Sequence, residues 1–257
     1  MTEPVWGPVH HDLTGVLAHQ PDDVPAVVDH LTKLQDILDR VPPVCGSIPL
    51  ADFNRLYLTV TTSVLERLYE GRFADPAFLS RLDVEFAARY FEALRLFGDA
   101  RACCPRVWTV LFGRSACRDD AAAVPSAAAG LTAHLNLDLP FALVTTFDHL
   151  GSDPVDDGDQ HHDYLQITEI LAEAVPGLRD GCMDRWQLLF ELMNGDLDDC
   201  WPGDVAVYSR NVAWRNAQKL WAVRHDMPAL ARTRDRLDGN AAALGRLLVS
   251  PMGTFLR

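Results

Sequence analysis

Four side chains combine types and spacing suited to chemistry: His134, Asp138, His161 and Asp163. His134 and Asp138 stand four residues apart inside the apolar run from Leu131 to Pro140, so a helix there would put both on one face. The neighbouring histidines divide between faces. His161 aligns at helical spacing with Tyr164, Leu165, Thr168 and Leu171 on an inward face, and Asp163 with Ile167, Ile170 and Ala174 on its flank. His162 aligns with Gln166, Glu169 and Glu173 and is expected in solvent. Imidazoles and carboxylates form a suitable donor set for a divalent metal such as zinc, and an i,i+4 pair can chelate from one helix face. The same four groups, without a metal, are suited to general acid–base work. They are therefore the candidate catalytic residues and the candidate metal ligands.

Two arginines occupy places where leucine is expected. Arg89 lies on the stripe Leu79, Leu82, Phe86, Arg89, Ala93, Leu96, and Arg210 on Val207, Arg210, Trp214, Ala217, Trp221. A buried guanidinium keeps its charge and needs an acceptor or an anionic ligand. Arg89, Arg210, Tyr90, Tyr164 and Trp214 are the candidate substrate-binding residues, with Phe91 and Phe141 as further aromatic lining. Three functions follow. The first is an enzyme acting on a small polar or anionic molecule, with metal-dependent hydrolysis as one form. The second is a metal-free cyclase, isomerase or dehydratase of specialised metabolism. The third is a non-catalytic ligand-binding or interaction protein. Its buried polar groups would satisfy one another as Arg89–Asp138 and Arg210–Asp163 pairs, with His134 on a carbonyl freed near Pro140.

The elements that must position these residues are helices. Pro25 opens a helix that Val41-Pro42-Pro43 ends, Pro49 opens one running to about Glu70, and Asp75-Pro76 opens another that Gly98 closes. A shorter helix follows Pro105. A long apolar helix near 126–150, interrupted by Pro140, is expected at the centre of the fold. Further helices are predicted at about 161–175, 180–194, 204–225 and 228–248, with no alternating strand pattern. The expectation is one all-α domain over 1–257, a bundle of eight to nine helices, with residues 1–20 irregular.

Composition narrows the partners. A net charge of -13 argues against binding nucleic acid or anionic lipid through a basic surface. No apolar run approaches the ~18–20 residues that span a bilayer. The first residues lack the basic and apolar regions of a signal peptide, so a cytoplasmic location is expected. The six cysteines form no C-x-x-C pair and are read as reduced thiols. The acidic stretch Asp153–Asp159 lacks calcium-loop spacing and is expected in solvent. His10-His11-Asp12 falls in the terminus read as irregular. There is no phosphate-binding glycine loop, no nucleophile elbow and no repeated E-x-x-H.

The combination of Ile48–Tyr57, Arg89-Tyr90-Phe91, Ala133–Pro140 and His161-His162-Asp163 resembles a bacterial family known as an uncharacterised domain of unknown function. That resemblance covers about 40–225 and implies a helical single domain without implying an activity. A weaker similarity, through His134-x-x-x-Asp138, is to zinc-dependent phospholipase C and P1 nuclease. Here Leu139, Pro140 and Phe141 stand where that group has further metal-binding histidines. His162-Asp163 is similar to the doublet of HD-type phosphohydrolases, but it starts a helix here rather than ending one.

Overall fold

The carboxylates and prolines that punctuate the sequence set the helix ends. Asp23 accepts from the Ala26 amide at 2.7 Å and caps α2, Val24–Asp39, with Pro25 in its first turn. Asp75 caps α4, Pro76–Asp99, through the Phe78 amide. Asp226 caps α9, Met227–Leu248, through the Ala229 amide. The computed structural model describes residues 6–41, 49–99, 103–117, 130–177 and 202–248. The remaining helices are α1 His10–Leu17, α3 Pro49–Tyr69, α5 Arg106–Cys117, α6 Leu139–Leu150, α7 Asp159–Gly177 and α8 Pro202–Ala222. All nine are α-helical, and no strand occurs among the described residues. The expected helix at 180–194 lies outside the described residues, as do Cys45, Cys182 and Cys200.

The all-α bundle is what the hydrophobic periodicity predicts. The terminus, however, is not irregular throughout. A short 3-10 turn, Gly7–Val9, leads into α1, because Leu13 and Leu17, four residues apart, are both buried. Trp6 seats beside Phe97 and Phe112. His10, His11 and Asp12 thus begin a helix, and Asp12 pairs with Arg40 at 3.2 Å.

The centre is the segment that runs from Gly130 to Leu150. Its buried residues include Leu131, Ala133, Leu135, Leu137, Leu139, Ala142, Leu143 and Phe147, so it is apolar on nearly every side and packs against α4 and α8. Gly130 permits its close entry: a Cβ there would fall 2.7 Å from Leu111 and 2.9 Å from Phe53.

Pro140 neither breaks nor stops this helix. Residues His134–Asp138 widen into one π-helical turn, closed by the Leu139 amide donating to the His134 carbonyl. The missing proline N–H is absorbed beside that turn, and α6 continues to Gly151, whose φ of 64° supplies the left-handed cap. Such turns sit frequently at functional sites. The candidate pair His134 and Asp138 bounds this one.

Candidate functional site

His134 and Asp138 face one another within the π turn, with His134 Nδ1 3.1 Å from Asp138 Oδ2. The same oxygen accepts from Trp108 Nε1 at 2.9 Å. Exposures of 3% and 5% place His134 and Asp138 inside the protein. Asp138 accepts, so Nδ1 carries the proton and Nε2 keeps its lone pair. Phe86 stacks on the imidazole at 3.5 Å, and Tyr57 meets it edge-on at 4.6 Å. Phe53, Tyr90 and Trp108 complete the aromatic surround. Burial in this shell lowers the His134 pKa, against the opposing pull of Asp138, and favours the neutral ring.

On its other side Asp138 borders a pocket of about 260 Å³ between α4, α9 and the π turn. Its polar lining is Glu85, Arg89, Glu92, Asp138 and Arg234, and its apolar lining includes Leu96, Leu137 and Phe141. The two glutamates are already matched: Glu85 pairs with Arg81, and Glu92 receives both Nε and Nη2 of Arg95, at 2.8 and 2.7 Å. The two arginines are not. Arg89 Nη2 donates to the Phe141 carbonyl at 2.9 Å and to Thr145 Oγ1 at 2.8 Å, both neutral acceptors. Arg89 and Arg234 approach the Phe141 ring at 5.7 and 6.0 Å. Burial lowers the Arg89 pKa, the charges of Asp138 and Glu85 oppose this, and Arg234 adds to it. Arg89 thus stands among Asp138, Glu85 and Arg234, with Arg234 at the exposed rim of the pocket.

The remaining candidate residues belong elsewhere. Asp163 is buried, but it accepts from the backbone amides of Ala74 and Asp75, at 3.0 and 2.6 Å, and so anchors the turn before α4. His161 accepts the Asp157 amide on Nδ1 and lies 4.5 Å from the Trp214 ring. His162 is exposed. His161 and Asp163 thus turn to backbone amides, His161 through Nδ1 to the nearby Asp157 and Asp163 through both carboxylate oxygens to the distant Ala74 and Asp75. No group of three or more His, Cys, Asp or Glu residues suited to a metal occurs among the described residues.

Arg210 forms no pair with Asp163. Its Nη2 donates to the Tyr164 carbonyl at 2.7 Å, the Tyr164 hydroxyl donates to the Arg210 carbonyl at 2.7 Å, and the guanidinium lies 4.1 Å from the Tyr164 ring. Burial pushes the Tyr164 phenol up to about 12, with Arg210 pulling the other way. This reciprocal clasp joins α7 to α8 and uses both residues structurally. Tyr90 is buried in the core with its hydroxyl on Asn54 at 3.3 Å. Trp214 donates to Asp156 at 2.8 Å, and Trp221 donates to Asp153 at 2.8 Å. The acidic loop is exposed, as its composition predicts, and the indoles of α8 fasten it at Asp153 and Asp156.

Sequence reasoning missed Trp108, which looks like one more apolar residue of α5, and Arg234, which lies on an otherwise ordinary amphipathic helix. Neither carried a local signal; both enter the site through contacts distant in sequence.

One family model, described as "Family of unknown function (DUF5995)", matches residues 8–251. The chain belongs to the DUF5995 family. No curated protein and no solved structure matches it. The DUF5995 match covers every element of the site, from Trp108 in α5 to Arg234 in α9.

Proposed function

We propose that the protein binds a small anionic molecule in the pocket between α4, α9 and the π turn, and that Asp138 exchanges a proton with it. The observation that carries this reading is the arrangement of charge. Arg89 and Arg234 line one pocket with Asp138, and among the described residues no carboxylate hydrogen-bonds or ion-pairs with either guanidinium. An anion seated between two guanidinium groups gains from both charges. Trp108 and His134 both engage Oδ2, which fixes the carboxylate plane and leaves Oδ1 as the atom available to the pocket.

The chemistry suited to this set is proton abstraction or return at an atom next to a carboxylate or phosphate group. The arginines would hold the anionic group and stabilise charge that develops beside it. Isomerases and dehydratases of small hydroxy acids use such steps. The small volume and polar walls favour a compact, hydrophilic substrate over a long or greasy one.

The test is calorimetric titration with inorganic phosphate and a panel of small hydroxycarboxylates, comparing the unmodified chain with Arg89→Met and Arg234→Met. Saturable binding that weakens in both variants supports the reading. Equal affinity in all three proteins, or no binding to any anion, removes it.

A further inference from the structure

The pocket that Asp138 borders is not uniform along its length. Its cations gather at one end, where the Arg89 and Arg234 guanidinium groups stand 5.7 and 6.0 Å from the Phe141 ring. Arg89 is pinned there, since its Nη2 donates to the Phe141 carbonyl and to Thr145 Oγ1. Toward the C-terminus of α4 the lining changes character. Ala93 and Leu96 lie one and two turns past Arg89, roughly 6 and 10 Å along the helix axis. Pro105 is beside them, because the thiol of the preceding Cys104 donates to the Ala93 carbonyl at 3.6 Å. Leu137 joins this apolar stretch from the π turn. Glu92 also lines it, but that carboxylate is half exposed and both of its oxygens are taken by Arg95. Asp138, next to Leu137 and one turn before Phe141, falls between the two ends.

A small cavity with charge at one end and hydrocarbon at the other is complementary to a molecule divided in the same way. We infer that the anion held in this pocket carries a short aliphatic tail, with its head between Arg89 and Arg234 near Phe141 and its tail along Ala93, Leu96 and Pro105. This rests on the anion-binding reading of the pocket and adds the class of anion that fills it.

The tail is short because the cavity is: about 260 Å³ must hold the head as well. The molecule is therefore still compact, but with one apolar end. In this pose Asp138 meets the junction of head and tail, the atom next to the anionic group. Guanidinium groups accept either a carboxylate or a phosphate as the head, and the two are separated by experiment.

Calorimetric titration of the full chain with straight-chain acids from acetate to octanoate, and with the matching monoalkyl phosphates, reads the tail directly. Each methylene buried should tighten binding about two- to fourfold over the first members, and the gain should stop once the chain outgrows the cavity. A rise in one series alone names the head. Leu96→Gln keeps a side chain of similar size but makes the far end polar, so it should flatten the rise, whereas Arg89→Met should weaken every member. Affinity that ignores the tail overturns the inference and leaves the anion site standing. So does a rise that runs on through octanoate or survives in Leu96→Gln, because the tail then lies elsewhere. No binding by any member removes the anion site itself, and the tail with it. Intermolecular NOEs give a second readout on the unmodified chain: the terminal methyl of butyrate should reach the methyls of Leu96 and Leu137. Contacts from that methyl to the Phe141 ring alone would reverse the orientation and overturn the assignment.

Discussion

Removing Asp138 should strand two buried donors at once, and the size of the loss follows from the contacts. Trp108 Nε1–H and His134 Nδ1–H both end on Oδ2, in a shell of aromatic rings. Asp138→Ala leaves each N–H without an acceptor, and an unsatisfied buried donor costs about 1–3 kcal/mol. A combined loss of roughly 3–5 kcal/mol is therefore expected. Asp138→Asn keeps an amide oxygen of nearly the same size in the same place. It forfeits only the charge-assisted part of each bond, so its loss should be about 1–2 kcal/mol. Equilibrium urea unfolding, followed by tryptophan fluorescence, gives both numbers. Equal losses for the two variants would refute the reasoning. So would losses within about 0.5 kcal/mol of the unmodified protein, the range of an ordinary surface change.

Other parts of the structure make separate predictions. Gly130→Ala should destabilise by about 1–3 kcal/mol, because its Cβ would meet Leu111 and Phe53 at 2.7 and 2.9 Å; thermal unfolding reads this directly. Asp163→Ala should cost about 2–4 kcal/mol in urea unfolding by freeing the amides of Ala74 and Asp75, while leaving anion binding at the pocket intact. Asp83 has its carboxyl raised from 3.8 to about 7, so the folded state holds its proton across that window while the unfolded chain releases it. Its contribution to stability therefore declines as pH rises from about 4 to about 7. Asp83→Asn should match the unmodified chain near pH 4 and exceed it by roughly 2 kcal/mol at pH 8, after discounting for partial exposure. A difference that does not grow with pH would contradict this.

Much of the fold was legible because its signals are local. Asp23, Asp75 and Gly151 stand where the helix ends fall, and the buried faces of α2 and α4 follow the 3.6-residue period. The central helix announced itself through the apolar run around His134. What the sequence concealed was the partner of each buried polar group. Asp163 looks like a catalytic carboxylate from its inward position, yet it serves amides 88 and 89 residues away. Arg210 looks like an anion binder, yet Tyr164 supplies its carbonyl and its ring. Helical phase tells which way a side chain faces and says nothing of what waits there. Arg89 was visible as a cation on an apolar stripe. Arg234 was invisible, since an arginine on an amphipathic helix is unremarkable until the fold brings it to the same pocket as Arg89.

The most direct test of the central claim is to map where an anion lands. Two-dimensional NMR of the isotopically labelled chain, titrated with inorganic phosphate and then with malate, reports every backbone amide at once. Saturable shifts concentrated at Ala88, Arg89, Leu137, Asp138 and Phe141, and lost in Arg89→Met, are predicted. Shifts confined to the Asp153–Asp156 loop or to the groove lined by His11, His19 and His30, with the π turn unmoved, would contradict it.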